Sequence, residues 1–335
     1  MTLSSSFGGS ARGDSPARGA SSARGGVPPL EVRLLRDGIP ESRHRVHAVV
    51  CDGRGRVLMR AGDPQQLSFV RSALKPFQAS VFVSSGAADH CNCGERGLAI
   101  ACASHAGRAI HAREAFKLLW GAELEAEQLQ CPVPAAGSSP LEHNCSGKHA
   151  AFLATCRQLG WSRESYLQIA HPLQQEVLKR VGDLLALPAA ELLTARDDCG
   201  APTLQLQLAQ MALLYAHLGA GSQADLERLS RAMLAHPELV AGEGRFDTEL
   251  MRRGHGQVIS KGGAEGIQCL SRVGAGMGVA IKVEDGSSRA KHAVALHLLE
   301  QLDWLTPMTL EELGNRFLQP APHLRLKVIG ELRFD

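Results

Sequence analysis

Two short strings in this chain place a serine three residues before a lysine. They are "RSALK", with Ser72 and Lys75, and "SSRAK", with Ser288 and Lys291. With 25 serines and 8 lysines in 335 residues, chance alone supplies about 0.6 such strings, so spacing decides nothing. Chemistry separates them. A lysine at its ordinary pKa of about 10.4 is protonated at neutral pH and cannot take a proton from a hydroxyl. Burial in apolar surroundings, or a neighbouring cation, frees the amine to act as a base. Ser72 and Lys75 lie among Phe69, Val70, Leu74 and Phe77, which can supply that burial. Ser288 and Lys291 follow "VEDG" beside Arg289, where a serine N-cap and a solvated lysine are expected.

Further reactive groups recur along the chain. "ACASHAG" holds Ser104 and His105, readable as a second active-site hydroxyl or as a helix C-terminus with histidine near its last carbonyls. "LEHNCSGKHAAFL" gathers Asn144, Cys145, Ser146, Lys148 and His149 around a glycine at a predicted helix entry. Free N–H groups at such an entry suit a carboxylate or an oxyanion; the plainer account is a serine cap and a buried cysteine. "ARDDCGAPT" sets Asp197, Asp198 and Cys199 before a turn. Cys145 and Cys199 could share a zinc ion, yet neither has a C-x-x-C partner. Cys91 and Cys93 form a C-x-C that reads as a loop. "ISKGGAEG" ends a predicted strand on Lys261, and its glycines would let a ligand approach the backbone. Gly274, Gly276 and Gly278 feed a strand with no helix behind it, so no nucleotide cofactor is expected.

The elements that must position these groups follow from pattern. Two β-rich runs, 44–51 and 56–60, flank the turn Asp52-Gly53-Arg54-Gly55 and predict a hairpin. Pro76 belongs near a helix start, because it lacks the N–H that a helix interior uses. It therefore predicts a helix beginning close to Ser72 and ending at Gly86. From about 70 to 250 the chain reads as mainly helical, including "LQLQLAQMALLYAHLG". Strand character returns after Gly254 and brackets one helix, "SRAKHAVALHLLEQL". The expected class is α+β: an antiparallel sheet built from 31–65 and 254–335, packed with helices, beside an inserted helical region.

Bulk properties narrow the function. The formal charge of +2 comes from interspersed residues, and aromatics are 4%, so nucleic-acid binding is not expected. No apolar run of membrane-spanning length occurs. Residues 1–28, rich in Gly, Ser, Ala and Arg, predict a disordered leader before a single domain over 29–335. Nine cysteines without a secretory signal are expected as reduced thiols, in a cytoplasmic protein.

Six segments in order, "RSALKPFQA", "ASHAG", "HNCSGKHAAFL", "DDCGAPT", "SKGGAEG" and "GVAIKVEDG", resemble the L-asparaginase II family of rhizobial type. The resemblance runs from about Glu31 to "VIGELR". It implies a fold similar to serine β-lactamases and glutaminases, hydrolysis of L-asparagine to L-aspartate and ammonia, and a homodimer. It further implies two serine–lysine pairs, Ser72 with Lys75 and Ser104 with Lys261. Zinc would fall on Cys145, Lys148 and Cys199, orienting substrate without being needed for the chemical step. Arg71, His149 and Asp197 match substrate-binding positions. Some relatives carry a cysteine where this chain has Asp247. The implied chemistry is acyl transfer, with Ser72 attacking, Lys75 as base and Ser104 relaying protons. A glutaminase or another hydrolase of that fold is the alternative, as is a silent module that binds zinc or an amino acid.

Overall fold

The computed structural model describes residues 26–335. Nearly all of the expected leader, residues 1–25, lies outside the described residues. The framework is a large antiparallel sheet of β1 (Leu30–Arg36), β2 (Ile39–Asp52), β3 (Val57–Ala61), β7 (Val258–Gly262), β8 (Ile267–Arg272), β9 (Met277–Val283), β10 (Leu324–Ile329) and β11 (Arg333–Phe334). A smaller sheet joins β4 (Leu67–Phe69), β5 (Leu193–Arg196) and β6 (Pro202–Gln207).

The large sheet runs β10-β1-β2-β9-β8-β7. Its 14-residue strand β2 is long enough to hold two partners on one edge, β1 beside 39–46 and β3 beside 48–51. Its other edge pairs with β9. Alternation along β2 serves both faces. Val49 and Cys51 enter the core shared with the helical region, while Val46, Ala48 and Val50 enter the core beneath the C-terminal helices. The sheet therefore lies between two helical layers. The β2–β3 hairpin forms as expected, with Asp52 accepting from the N–H groups of Arg54 and Arg56. A second hairpin, β1–β2, turns on Asp37-Gly38, both with positive φ, at a D-G signal that sequence reading passed over.

Two local expectations change. "LQLQLAQMALLYAHLG" is not one helix: the chain is extended through Gln207 and helical only over Leu208–Ala220. Leu204 and Leu206, buried and alternating with glutamines, carry the period of two that marks a strand. That strand centres the small sheet, so the region 70–250 is not purely helical. Helix Leu208–Ala220 lies against the large sheet at Gly278, where a Cβ would come within 2.1 Å of the Ala212 carbonyl oxygen. After β9 there are two helices, not one, Ser288–Gln301 and Pro307–Phe317; the second is entered through Thr306, whose hydroxyl accepts from the Thr309 N–H.

Candidate active site

Ser72 stands on a short 3-10 turn, Arg71–Leu74, between β4 and the helix Lys75–Ser84. The α-helix thus begins three residues later than expected, with Lys75 first and Pro76 in its first turn. Tyr215 secures the turn by donating its hydroxyl to the Ala73 carbonyl at 2.8 Å. Its ring meets Phe77 edge-on. Sequence reading did not single out Tyr215. Arg71 adopts φ +53°, a left-handed conformation costly for a non-glycine residue. Its backbone N–H donates to Thr203 Oγ1, and its guanidinium spans Asp197 and Asp198 at 2.6 Å each. Those anchors reach across β6 and hold the strained backbone in place.

Lys75 is fully buried, and its amine reaches Ala103 O at 2.6 Å, Ser104 Oγ at 2.9 Å and Asn144 O at 3.3 Å. The Lys75 backbone N–H donates to the Ser72 carbonyl, but among the described residues no hydrogen bond joins the Lys75 amine to Ser72. Lys261, also fully buried, approaches Ser104 Oγ from the end of β7 at 2.9 Å. One hydroxyl therefore bridges two amines. Burial, reinforced by the charges of Lys75 and Lys291, pushes the Lys261 amine down to about 7 against the opposing pull of Asp247. Near neutral pH an appreciable fraction of Lys261 is then neutral and able to accept a proton.

The loop carrying Ser104 is fixed from both sides. Its N–H donates to the Val240 carbonyl at 2.8 Å. His105 is no helix cap: Nδ1 accepts from the Gly107 N–H, which leaves Nε2–H to donate to Ser146 Oγ at 2.9 Å. Ser146 passes that bond to the Leu141 carbonyl at 2.8 Å. Ser146 is accordingly the first residue of helix Ser146–Gln158, and Cys145 holds the cap position. Gly147 is required there, because a Cβ would lie 2.1 Å from the Ile100 carbonyl oxygen.

Within the same first turn, Lys148 is buried with its amine 3.1 Å from Cys199 Sγ. Cys145 Sγ lies 2.8 Å from Asn144 Oδ1; the neighbouring Cys199 thiol holds the Cys145 thiol well below its ordinary value, and Cys145 in turn pushes Cys199 up. Burial alone would lower the Lys148 pKa, but the two sulfurs and Asp197 raise it. Two thiols, one held toward thiolate, and an amine converge here. Sulfur and nitrogen donors match what zinc prefers. His149 is buried beside them, and Tyr166 OH, which accepts from the Gln130 N–H, donates to its Nδ1 at 2.8 Å. Among the described residues its Nε2–H has no partner. A buried donor of that kind suits an oxygen of a bound ligand.

Nine of the ten sequence-predicted site residues fall into three groups, Arg71 with Asp197, Lys75 and Lys261 about Ser104, and Cys145, Lys148 and Cys199 beside His149; Ser72 stands next to Arg71, its hydroxyl bonded to none of them. The model of the L-asparaginase II family matches residues 32–334. The chain belongs to that family. Membership supports an amidase-type hydrolase. No curated protein sequence matches this member of the L-asparaginase II family significantly. Similar solved structures include Mglu in its tris and glutamate form, at 12% identity and TM-score 0.37, over 78% of this chain and 60% of that one. A beta-lactamase from Mycobacterium bovis aligns at 12% identity and TM-score 0.38, over 78% of this chain and 95% of that one. The family member described here therefore spans less than two thirds of Mglu.

The second serine–lysine string, Ser288 to Lys291, departs from expectation. Ser288 is exposed and begins the helix, after Ser287 at the cap, and neither side chain caps it. Lys291 is not solvated but buried, its amine bonded to the carbonyls of Gly263 at 2.7 Å and Ile267 at 3.1 Å. The sequence window around it is polar; the sheet it packs against is not visible in that window. C-x-C residues Cys91 and Cys93 lie in a loop, and all nine cysteines are free thiols. No described helix is long and apolar enough to cross a membrane.

Proposed function

We propose that this protein hydrolyses the side-chain amide of L-asparagine to L-aspartate and ammonia through a serine acyl-enzyme. The observation that carries the reading is the Lys75–Ser104–Lys261 bridge, with 2.9 Å on either side of one hydroxyl. A pure binding module has no use for two buried amines on a serine, one of them held at about 7.

Ser72 is the attacking hydroxyl. It is half-buried, next to Arg71, and its Oγ makes no hydrogen bond with another described residue. Its proton passes to Lys75 when substrate draws the two together, as Lys75 gives up one of its own through the Ser104 hydroxyl to the neutral Lys261 amine. Catalytic hydrogen bonds often tighten only once substrate is bound. Attack on the amide carbon gives a tetrahedral oxyanion stabilised by backbone N–H donors. The bridge then protonates the leaving nitrogen, ammonia departs, and a β-aspartyl ester remains on Ser72. Water, deprotonated through the same bridge, adds to the ester and releases aspartate. Arg71, Asp197 and the free Nε2–H of His149 supply charges and a donor for the α-amino and α-carboxylate groups. Cys145, Lys148 and Cys199 would hold a zinc ion, which when bound supplies a Lewis-acidic point for orienting substrate. Lys148 must lose its proton to join that set.

The 2.9 Å contact also favours a second reading, with Ser104 attacking and Lys261 as base. Ammonia release from asparagine, compared with glutamine and with a chromogenic β-lactam, with and without chelator, tests the function. Mass spectrometry of the quenched enzyme tests the order: a β-aspartyl adduct on the Ser72 peptide, absent in Ser72→Ala, is expected. An adduct on the Ser104 peptide establishes the second reading, and near-normal turnover by Ser72→Ala removes the first.

A further inference from the structure

Around Lys261 lies a charged assembly that takes no part in the proposed proton transfers. Asp247 begins the second residue of helix Phe246–Arg253 and is buried. Its carboxylate accepts from Ser260 Oγ at 2.7 Å, the Gly262 N–H at 2.8 Å and Gln268 Nε2 at 2.8 Å. Gln268 also donates to Ser260 Oγ at 3.0 Å, which closes the ring. The gripped residues, 260 and 262, flank Lys261 on β7. Successive strand side chains alternate in direction, so a clamp on both neighbours fixes the line along which Lys261 leaves the sheet.

Lys291 completes the arrangement. Through the Gly263 and Ile267 carbonyls it ties the turn that joins β7 to β8. A Cβ on Gly262 would stand 3.1 Å from Lys291 Nζ and 3.3 Å from Asp247 Oδ2, so the two charged groups converge on that glycine. Burial works to raise the Asp247 carboxyl, yet Lys261, its hydrogen bonds and Lys291 together hold it below the usual range. Bare burial of a carboxylate costs several kcal/mol, and three donors with nearby cations are what offset it.

We propose that Asp247 and Lys291 are positioning residues for Lys261. The carboxylate clamps the strand on either side of it, the ammonium ties the following turn, and their opposite charges bias the proton on its amine. This rests on the reading of Lys261 as a proton-transfer group. The other titratable groups about Lys261 are Lys75 and Cys145 toward the cleft, Cys102 after helix Glu95–Ala101, and Cys269 on β8. Burial pushes the Cys102 thiol up to about 12 and raises Cys269 as well, so neither becomes charged in the working range. Lys75 and Cys145 are untouched by changes at 247 and 291. The sign of each effect follows. Removing the Asp247 charge leaves protonated Lys261 less stabilised and lowers its titration midpoint; removing the Lys291 charge relieves repulsion and raises it.

The full-length protein labelled with 13Cε-lysine reads this directly, the Lys261 resonance being assigned by its loss in Lys261→Arg. Asp247→Asn is expected to lower the midpoint by about one pH unit and Lys291→Gln to raise it by a similar amount. The acid limb of the kcat profile should move with each. Any other pattern, whether no movement or two shifts of the same sign, overturns the proposal. Should Asp247→Asn not fold, the direction in Lys291→Gln decides alone, with a fall or no change counting against it. If parent and variants all release no ammonia, the amidohydrolase reading fails while the resonance still decides this one.

Discussion

The two serine–lysine strings share a spacing and a buried lysine, and they differ in what the amine meets. Lys75 emerges where a loop hydroxyl and a second lysine converge at a cleft. Lys291 ends on two backbone carbonyls on the other side of the strand that carries that second lysine. Ser72 is half-buried in a strained turn beside a guanidinium pinned by two carboxylates, whereas Ser288 faces solvent. Burial of the lysine therefore does not mark the reactive string. Convergence of unlike groups from distant parts of the chain does, and here residues 75, 104 and 261 meet within hydrogen-bond reach.

Four substitutions press on that contrast. Lys75→Met removes one end of the proton bridge and is expected to lower kcat by about 10³-fold or more, measured by ammonia release. Lys291→Met should cost at most about tenfold in the same assay. If the two losses are equal, the strings are not functionally distinct. Arg71→Lys keeps the charge but loses the forked contact with both carboxylates. It should raise KM about tenfold with a smaller change in kcat, the mark of a group that positions substrate and not of one that moves protons. A fall confined to kcat would shift Arg71 into the chemistry. Ser288→Ala is the smallest: unchanged kinetics, and a stability change within about 0.5 kcal/mol by denaturant unfolding. A larger loss would give the second serine a role its exposure denies.

Much of this contrast was legible before the fold, and the reasons are local. The proline after Lys75, the apolar residues around it and the D-G and G-x-G turns are written within a few positions. So was the α+β class, since strand character at both ends frames the helices. Illegible features were those created by partners far along the chain. Lys291 sits in a polar window and is buried only because a sheet from elsewhere covers it. Tyr215 looked like any aromatic on a core helix until its hydroxyl met the Ala73 carbonyl. The strand Pro202–Gln207 was absorbed into a helix reading because Leu204 and Leu208, four apart, also begin a helical stripe that Met211 and Tyr215 continue. Asp247 was noted only as a departure from relatives, with no hint of its three donors.

The course of β2 has a consequence for how the chain comes to be folded. One of its edges holds β1 and β3, strands made within the first 61 residues, but the other waits for β9, beginning at Met277. During synthesis the N-terminal meander can close early through short hairpins. Lys261 reaches Ser104 only after more than two hundred further residues have been made and β9 has docked. Contacts of such sequence separation form late and slowly. In the interval the unpaired edge of β2 stands open to other chains. Refolding experiments should accordingly recover the β1–β3 meander, by hydrogen exchange, well before they recover a working site.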